Sequence, residues 1–111
     1  MNAIKATTWI SISGGHTGIV ERDNGSKTWF KNGKRHREDG PAHVESNGYK
    51  MWYLEGKIIW GSDIKLDLTN EIVLSKSKHP EYPLVRVWKI LGPNGLYEQI
   101  IIPGMEEFII E

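Results

Sequence analysis

Between Gly18 and Trp60 the chain alternates short apolar and polar runs, and a glycine interrupts them at intervals of seven or eight residues. The runs, such as Thr28-Trp29-Phe30 and Met51-Trp52-Tyr53, are too short for stable helices. They are rich in aromatic and β-branched residues, which suit a pleated surface. Asn32-Gly33 and Asn47-Gly48 are strong hairpin signals, because both central residues of a type I′ turn need positive φ. Asp23-Asn24-Gly25 suits a slightly longer hairpin loop, and Glu55-Gly56 is a weaker turn. The pattern therefore predicts an antiparallel β-meander. Upstream, Thr8 to Ser13 reads as an edge strand ended by Gly14-Gly15.

The second half is patterned differently. Val85, Val87 and Ile90 alternate with Arg86 and Lys89, although Trp88 breaks the two-residue period. Gly92-Pro93-Asn94-Gly95 reads as a four-residue hairpin loop leading to a strand from Leu96 to Ile102, whose run Ile100 to Ile102 suggests burial on both faces. Ile64 to Leu68 alternates as a strand would, whereas Thr69-Asn70-Glu71 before Ile72-Val73-Leu74 fits one short helical turn within 69–78. His79-Pro80-Glu81-Tyr82-Pro83 is a loop, since two prolines and the residues before them resist helix. Phe108, Ile109 and Ile110 would be an aggregation hazard if exposed, which favours a packed last strand over a free tail.

Two stretches repeat. Gly25, Lys27, Trp29, Phe30, Gly33 and Lys34 recur as Gly48, Lys50, Trp52, Tyr53, Gly56 and Lys57, and Val20-Glu21 as Val44-Glu45. The period is about 23–24 residues, with one residue dropped before the second turn. Asn32-Gly33-Lys34-Arg35-His36-Arg37-Glu38-Asp39-Gly40-Pro41-Ala42, with Trp29-Phe30 upstream, resembles the MORN-type repeat of phage, giant-virus and bacterial proteins. The likeness covers residues 16–60. His16-Thr17-Gly18 is a remnant of the motif, and Ile58-Ile59-Trp60 stands where the pattern places His-Arg. The resemblance implies a binding scaffold, in some members linked to membrane lipids, with no fixed chemistry; a non-enzymatic protein without a cofactor is the expectation.

Two such repeats do not bury their own apolar faces. The expected architecture is thus a single all-β domain over residues 1–111, with hairpin repeats at 16–60 and a capping segment and hairpin at 61–111.

Composition narrows the function. In 111 residues, 14 basic and 14 acidic side chains cancel, which argues against a dedicated nucleic-acid binder. Residues 1–60 hold nine Lys/Arg against six Asp/Glu, and residues 61–111 hold five against eight. This +3/−3 asymmetry is a weak lever under physiological screening. Without cysteine there are no disulfides, thiolate metal sites or cysteine nucleophiles. No apolar run approaches the ~20 residues of a membrane span, and the N-terminus does not read as a signal peptide; a cytoplasmic protein is the expectation.

Candidate chemistry is sparse. Lys27, Trp29 and Lys31 would share one strand face, giving an aromatic platform flanked by ammonium groups. Together with Arg35, Arg37, Trp52 and Tyr53 they form the candidate partner-binding set of a small phage-type protein, with another protein as the expected partner: a host protein that it modulates or inhibits, such as a defence enzyme, or a second copy of the chain. A nucleic acid held on the basic-aromatic stretch 27–37 is the alternative. His36, Asp39 and His43 bracket a tight turn and admit a metal or acid/base reading, that of a small metal-dependent hydrolase. A role in holding the linker backbone in register accounts better for His36 and Asp39. No phosphate-binding loop, nucleophile elbow or metal helix motif is present.

Overall fold

The structure, a computed structural model, describes the backbone of residues 4–12 and 15–111 and the side chains of residues 17–111. It is β-rich, as expected. The one helical segment among the described residues is a 3-10 turn at Met105–Phe108. The chain forms two compact units, residues 1–37 with 41–63, and residues 38–40 with 64–111.

The first unit is a seven-stranded antiparallel sheet. Its strands are β1 (Ile4–Ile12), β2 (Gly15–Arg22), β3 (Lys27–Lys31), β4 (Lys34–Arg35), β5 (His43–Val44), β6 (Lys50–Leu54) and β7 (Lys57–Gly61). The order is β1-β2-β3-β5-β6-β7, with β4 pairing on β3. β1 lies at the sheet edge, as the N-terminal pattern predicts, and starts earlier than Thr8. Ser13 and Gly14 lie outside the described residues, while Gly15 opens β2.

The two repeats superimpose in their hydrogen bonds. Arg22 N–H donates to Ser26 O, and Gly25 N–H to Arg22 O; Glu45 N–H donates to Tyr49 O, and Gly48 N–H to Glu45 O. The side-chain oxygens of Asn24 and Asn47 each accept the N–H two residues on, both at 3.0 Å. Both are therefore three-residue loops with glycine in the left-handed region, Gly25 at φ 89° and Gly48 at φ 92°.

This corrects two sequence expectations. Asn47-Gly48 is not a type I′ turn, because Asn47 keeps negative φ. Nor is a residue dropped between the copies. Val20 faces Thr28 where His43 faces Met51, so His43, not Val44, is the structural counterpart of Val20. The repeat of Val-Glu is out of register by one. The other pair of turns does have two positive-φ residues each, Asn32-Gly33 (54°, 78°) and Glu55-Gly56 (51°, 81°), as type I′ requires.

Val20, Thr28, His43, Trp52 and Leu54 are buried in this unit. Ala42 ties the linker to the sheet, its carbonyl accepting Trp29 N–H and its N–H donating to Met51 O.

The second unit has a three-stranded antiparallel sheet, order β11-β10-β9, and a small parallel pair. Its strands are β8 (Leu66–Asp67), β9 (Ile72–Lys78), β10 (Arg86–Gly92), β11 (Gly95–Ile101) and β12 (Ile109–Ile110), with β12 on β8. Residues 72–78 are thus strand where a helical turn was expected. Pairing with β10 overrides the local helix-start signal, and Leu74 is the extra residue of a bulge. The hairpin loop is two residues, Pro93-Asn94, because Gly92 and Gly95 already pair. The strand expected over Ile64 to Leu68 shrinks to Leu66–Asp67, and the C-terminal strand is only Ile109–Ile110, half-buried at Ile109 but exposed at Ile110, with Phe108 ending the 3-10 turn.

The faces of β10 also differ from the expected alternation. Trp88 and Ile90 are buried together on one face, while Val87, Lys89 and Leu91 occupy the other. Trp88 keeps the two-residue period rather than breaking it. The ammonium of its strand neighbour Lys76 lies 4.1 Å from the ring centroid.

Candidate functional site

The candidate residues of the repeat unit do not form one surface. Lys27, Trp29 and Lys31 do share a face of β3. Arg35 pairs with Phe30 on the other face, and Tyr53 joins that side through Met51, His43 and Thr28. By register Trp52 lies on the Lys27–Trp29 side, through Val44 and Lys50, yet it is not exposed there. It is fully buried opposite Trp60, so it is a core residue and not an exposed anchor.

Each arginine is preorganised. The Arg37 guanidinium lies 4.0 Å from the Trp29 ring centroid, and its Nη1 donates to Pro41 O at 3.1 Å. Arg35 donates from Nη1 to the Tyr53 hydroxyl at 3.2 Å, with its guanidinium 5.4 Å from that ring's centroid. Lys27 is exposed, and Lys31 makes a solvated 3.9 Å contact with Glu55.

The two histidines are structural in their bonding. His36 is buried, and its Nδ1 accepts Glu55 N–H at 2.9 Å. His43 Nδ1 lies 2.8 Å from the fully buried Thr28 hydroxyl, which also accepts a 3.1 Å bond from Arg22 Nη1. Burial first, then the nearby Arg35 charge, hold the His43 pKa below its ordinary value. Among the described residues no group of three or more His, Asp or Glu converges as a metal site.

Around His43 the two repeats form an open cleft of about 230 Å3, lined by Arg22, Asn24 and Ser26 at the first hairpin loop, Arg35 from β4, and Glu45 and Ser46 at the second. Sequence reasoning missed Arg22, whose role depends on a cross-strand neighbour.

The second unit carries a different feature. Leu96, Leu91 and Ile72 are direct partners across β11, β10 and β9, so they form one row on one face. Their exposures are 61%, 41% and 58%, and Leu74 at the bulge is 54% exposed. At the same end of the sheet, Tyr97 donates its hydroxyl to Glu71 at 2.9 Å beside an open cleft of about 460 Å3.

No family model, curated protein or solved structure matches the chain. The likeness to MORN-type repeats therefore rests on residues 16–60 themselves. No helix among the described residues is long and apolar enough to cross a membrane.

Proposed function

We propose that the chain is a non-catalytic, MORN-like binding module that docks another protein through the apolar row Ile72–Leu91–Leu96. That row is the observation carrying the reading. Single exposed aliphatics are ordinary on protein surfaces, but a contiguous cross-strand row marks an interaction face. Lys89, Ser75 and Glu98 continue the same face beyond the row and supply the polar rim expected of an interface. The phage and bacterial setting of the resembling repeat supports a cytoplasmic host protein as partner and modulation of it as the outcome. The repeat-unit residues Lys27, Trp29, Lys31, Arg35, Arg37 and Tyr53 then serve as secondary contacts at most.

The test is affinity for a partner recovered from host lysate. Leu91→Glu and Ile72→Lys should each weaken binding by about thirtyfold, the ~2 kcal/mol of an interface anchor. Alanine at Lys27, Lys31, Arg35 or Arg37 should change it less than about threefold. The reverse pattern would place docking on the repeat sheet. Binding to nonspecific nucleic acid that falls steeply with salt, and is lost in the lysine variants, would replace the reading altogether.

A further inference from the structure

The cleft between the two repeat loops is not built from the apolar row of that docking reading, and its chemistry points to a ligand of its own. Arg22 and Arg35 both line it. Each guanidinium has five N–H donors. Here Arg22 bonds a neutral hydroxyl, Thr28, and Arg35 a phenol, Tyr53. Among the described residues no carboxylate lies within ion-pair distance of either. Two arginines whose direct partners are uncharged, opening on one cleft, are an unusual outlay of positive charge in a chain of zero net charge.

The floor is polar and built. Ser26 and His43, which line it, are buried, and so is Thr28, which is bonded to both His43 and Arg22. With Arg22 donating into the Thr28 oxygen, the arrangement that satisfies every group has that hydroxyl donating to His43 Nδ1. The imidazole proton then sits on Nε2. Nε2 faces Glu45 Oε1 at 3.6 Å, beyond a good hydrogen bond. Glu45 is half-exposed, a group that an incoming anion would displace.

We propose that this cleft binds a single phosphate-type oxyanion, gripped by the Arg22 and Arg35 guanidiniums with His43 Nε2–H and the Ser26 and Ser46 hydroxyls as further donors. Guanidinium forks match such oxyanions bidentately. The volume is below the ~300–1,000 Å3 of clefts that hold drug-sized ligands, so it suits one small group. Glu45 at the cleft and exposed Asp23 beside Arg22 would repel a second phosphate. That favours free phosphate or a small monoester over a polyanion.

The experiment titrates the full chain with inorganic phosphate, against chloride at matched ionic strength, and follows amide shifts by NMR. Saturable shifts at Ser26, Thr28 and Ser46 with phosphate alone are expected. Arg22→Gln and Arg35→Gln should each weaken binding at least about tenfold, the worth of a charge-assisted bond, with the remaining spectrum unchanged. Glu45→Gln, at an exposed position, should tighten it, and it decides the matter should the arginine variants unfold. A phenyl phosphate arm separates the sources: tighter binding assigns a monoester, weaker binding free phosphate. Identical responses to phosphate and chloride, or no tightening in Glu45→Gln, would overturn the site. Affinity for single-stranded oligonucleotides that grows with their length would overturn it in favour of nucleic acid.

Discussion

The imidazole Nδ1 of His36 accepts the backbone N–H of Glu55 at 2.9 Å, bridging 19 residues of chain. The bond ties the linker between the repeats to the turn that closes the second one. Main-chain bonds flank it, from Arg37 N–H to Tyr53 O and from Gly56 N–H to Arg35 O. His36 thus acts on register, through its acceptor nitrogen. His36→Phe should leave the Glu55 N–H without its partner and destabilise by ~1–3 kcal/mol. Urea unfolding measures it, and an unchanged midpoint would remove this role.

Glu55 itself sits at φ 51°, where the first repeat has Asn32 at φ 54°. Asparagine tolerates the left-handed region better than glutamate does. Glu55→Asn should therefore stabilise by about 0.5–1 kcal/mol. The lost 3.9 Å contact with Lys31 is solvated at both ends and weighs little. A lower thermal midpoint in this variant would contradict the turn assignment.

Trp29 and Trp52 are equivalent in the repeat and differ in burial. Trp52→Ala should cost ~3–5 kcal/mol, as for other buried aromatics. Trp29→Ala should cost roughly 1–2 kcal/mol, from partial burial and the stacked Arg37. Equal losses in chemical denaturation would show that the half-buried position packs as tightly as the core one.

The lowered pKa of His43 makes stability depend on pH with a definite sign. The folded state resists protonating this imidazole more than the unfolded chain does. Its contribution is fully present above the unfolded value of ~6.5 and is lost as pH falls through the folded value. Unfolding free energy should thus drop between pH 7.5 and 5. His43→Gln, which keeps a hydrogen-bonding partner for Thr28 and does not titrate, should flatten that slope. An unaltered slope would mean that other groups set it.

Glycine spacing, aromatic and β-branched runs and the Trp-to-Trp repeat suffice to predict the meander, since strand pairing of short hairpins is a local matter. Four of the turns were readable for the same reason, although the loop type at Asn47-Gly48 was not. Its backbone follows the Asn47 side chain, which caps Tyr49 N–H, and the three-residue loop then sets the strand register.

What sequence order alone could not decide is whatever depends on neighbours across strands. A shift of one residue exchanges the two faces of a strand. Register therefore put His43 where Val20 stands, parted Arg35 and Tyr53 from Lys27, Trp29 and Lys31, and buried Trp52. Pairing with β10 likewise made residues 72–78 a strand, because long-range ladder bonds outweigh a local helix signal. The row Ile72–Leu91–Leu96 and the cleft of Arg22, Arg35 and His43 join residues far apart in the chain. No periodicity within one segment encodes such a meeting, so only the tertiary structure determined it.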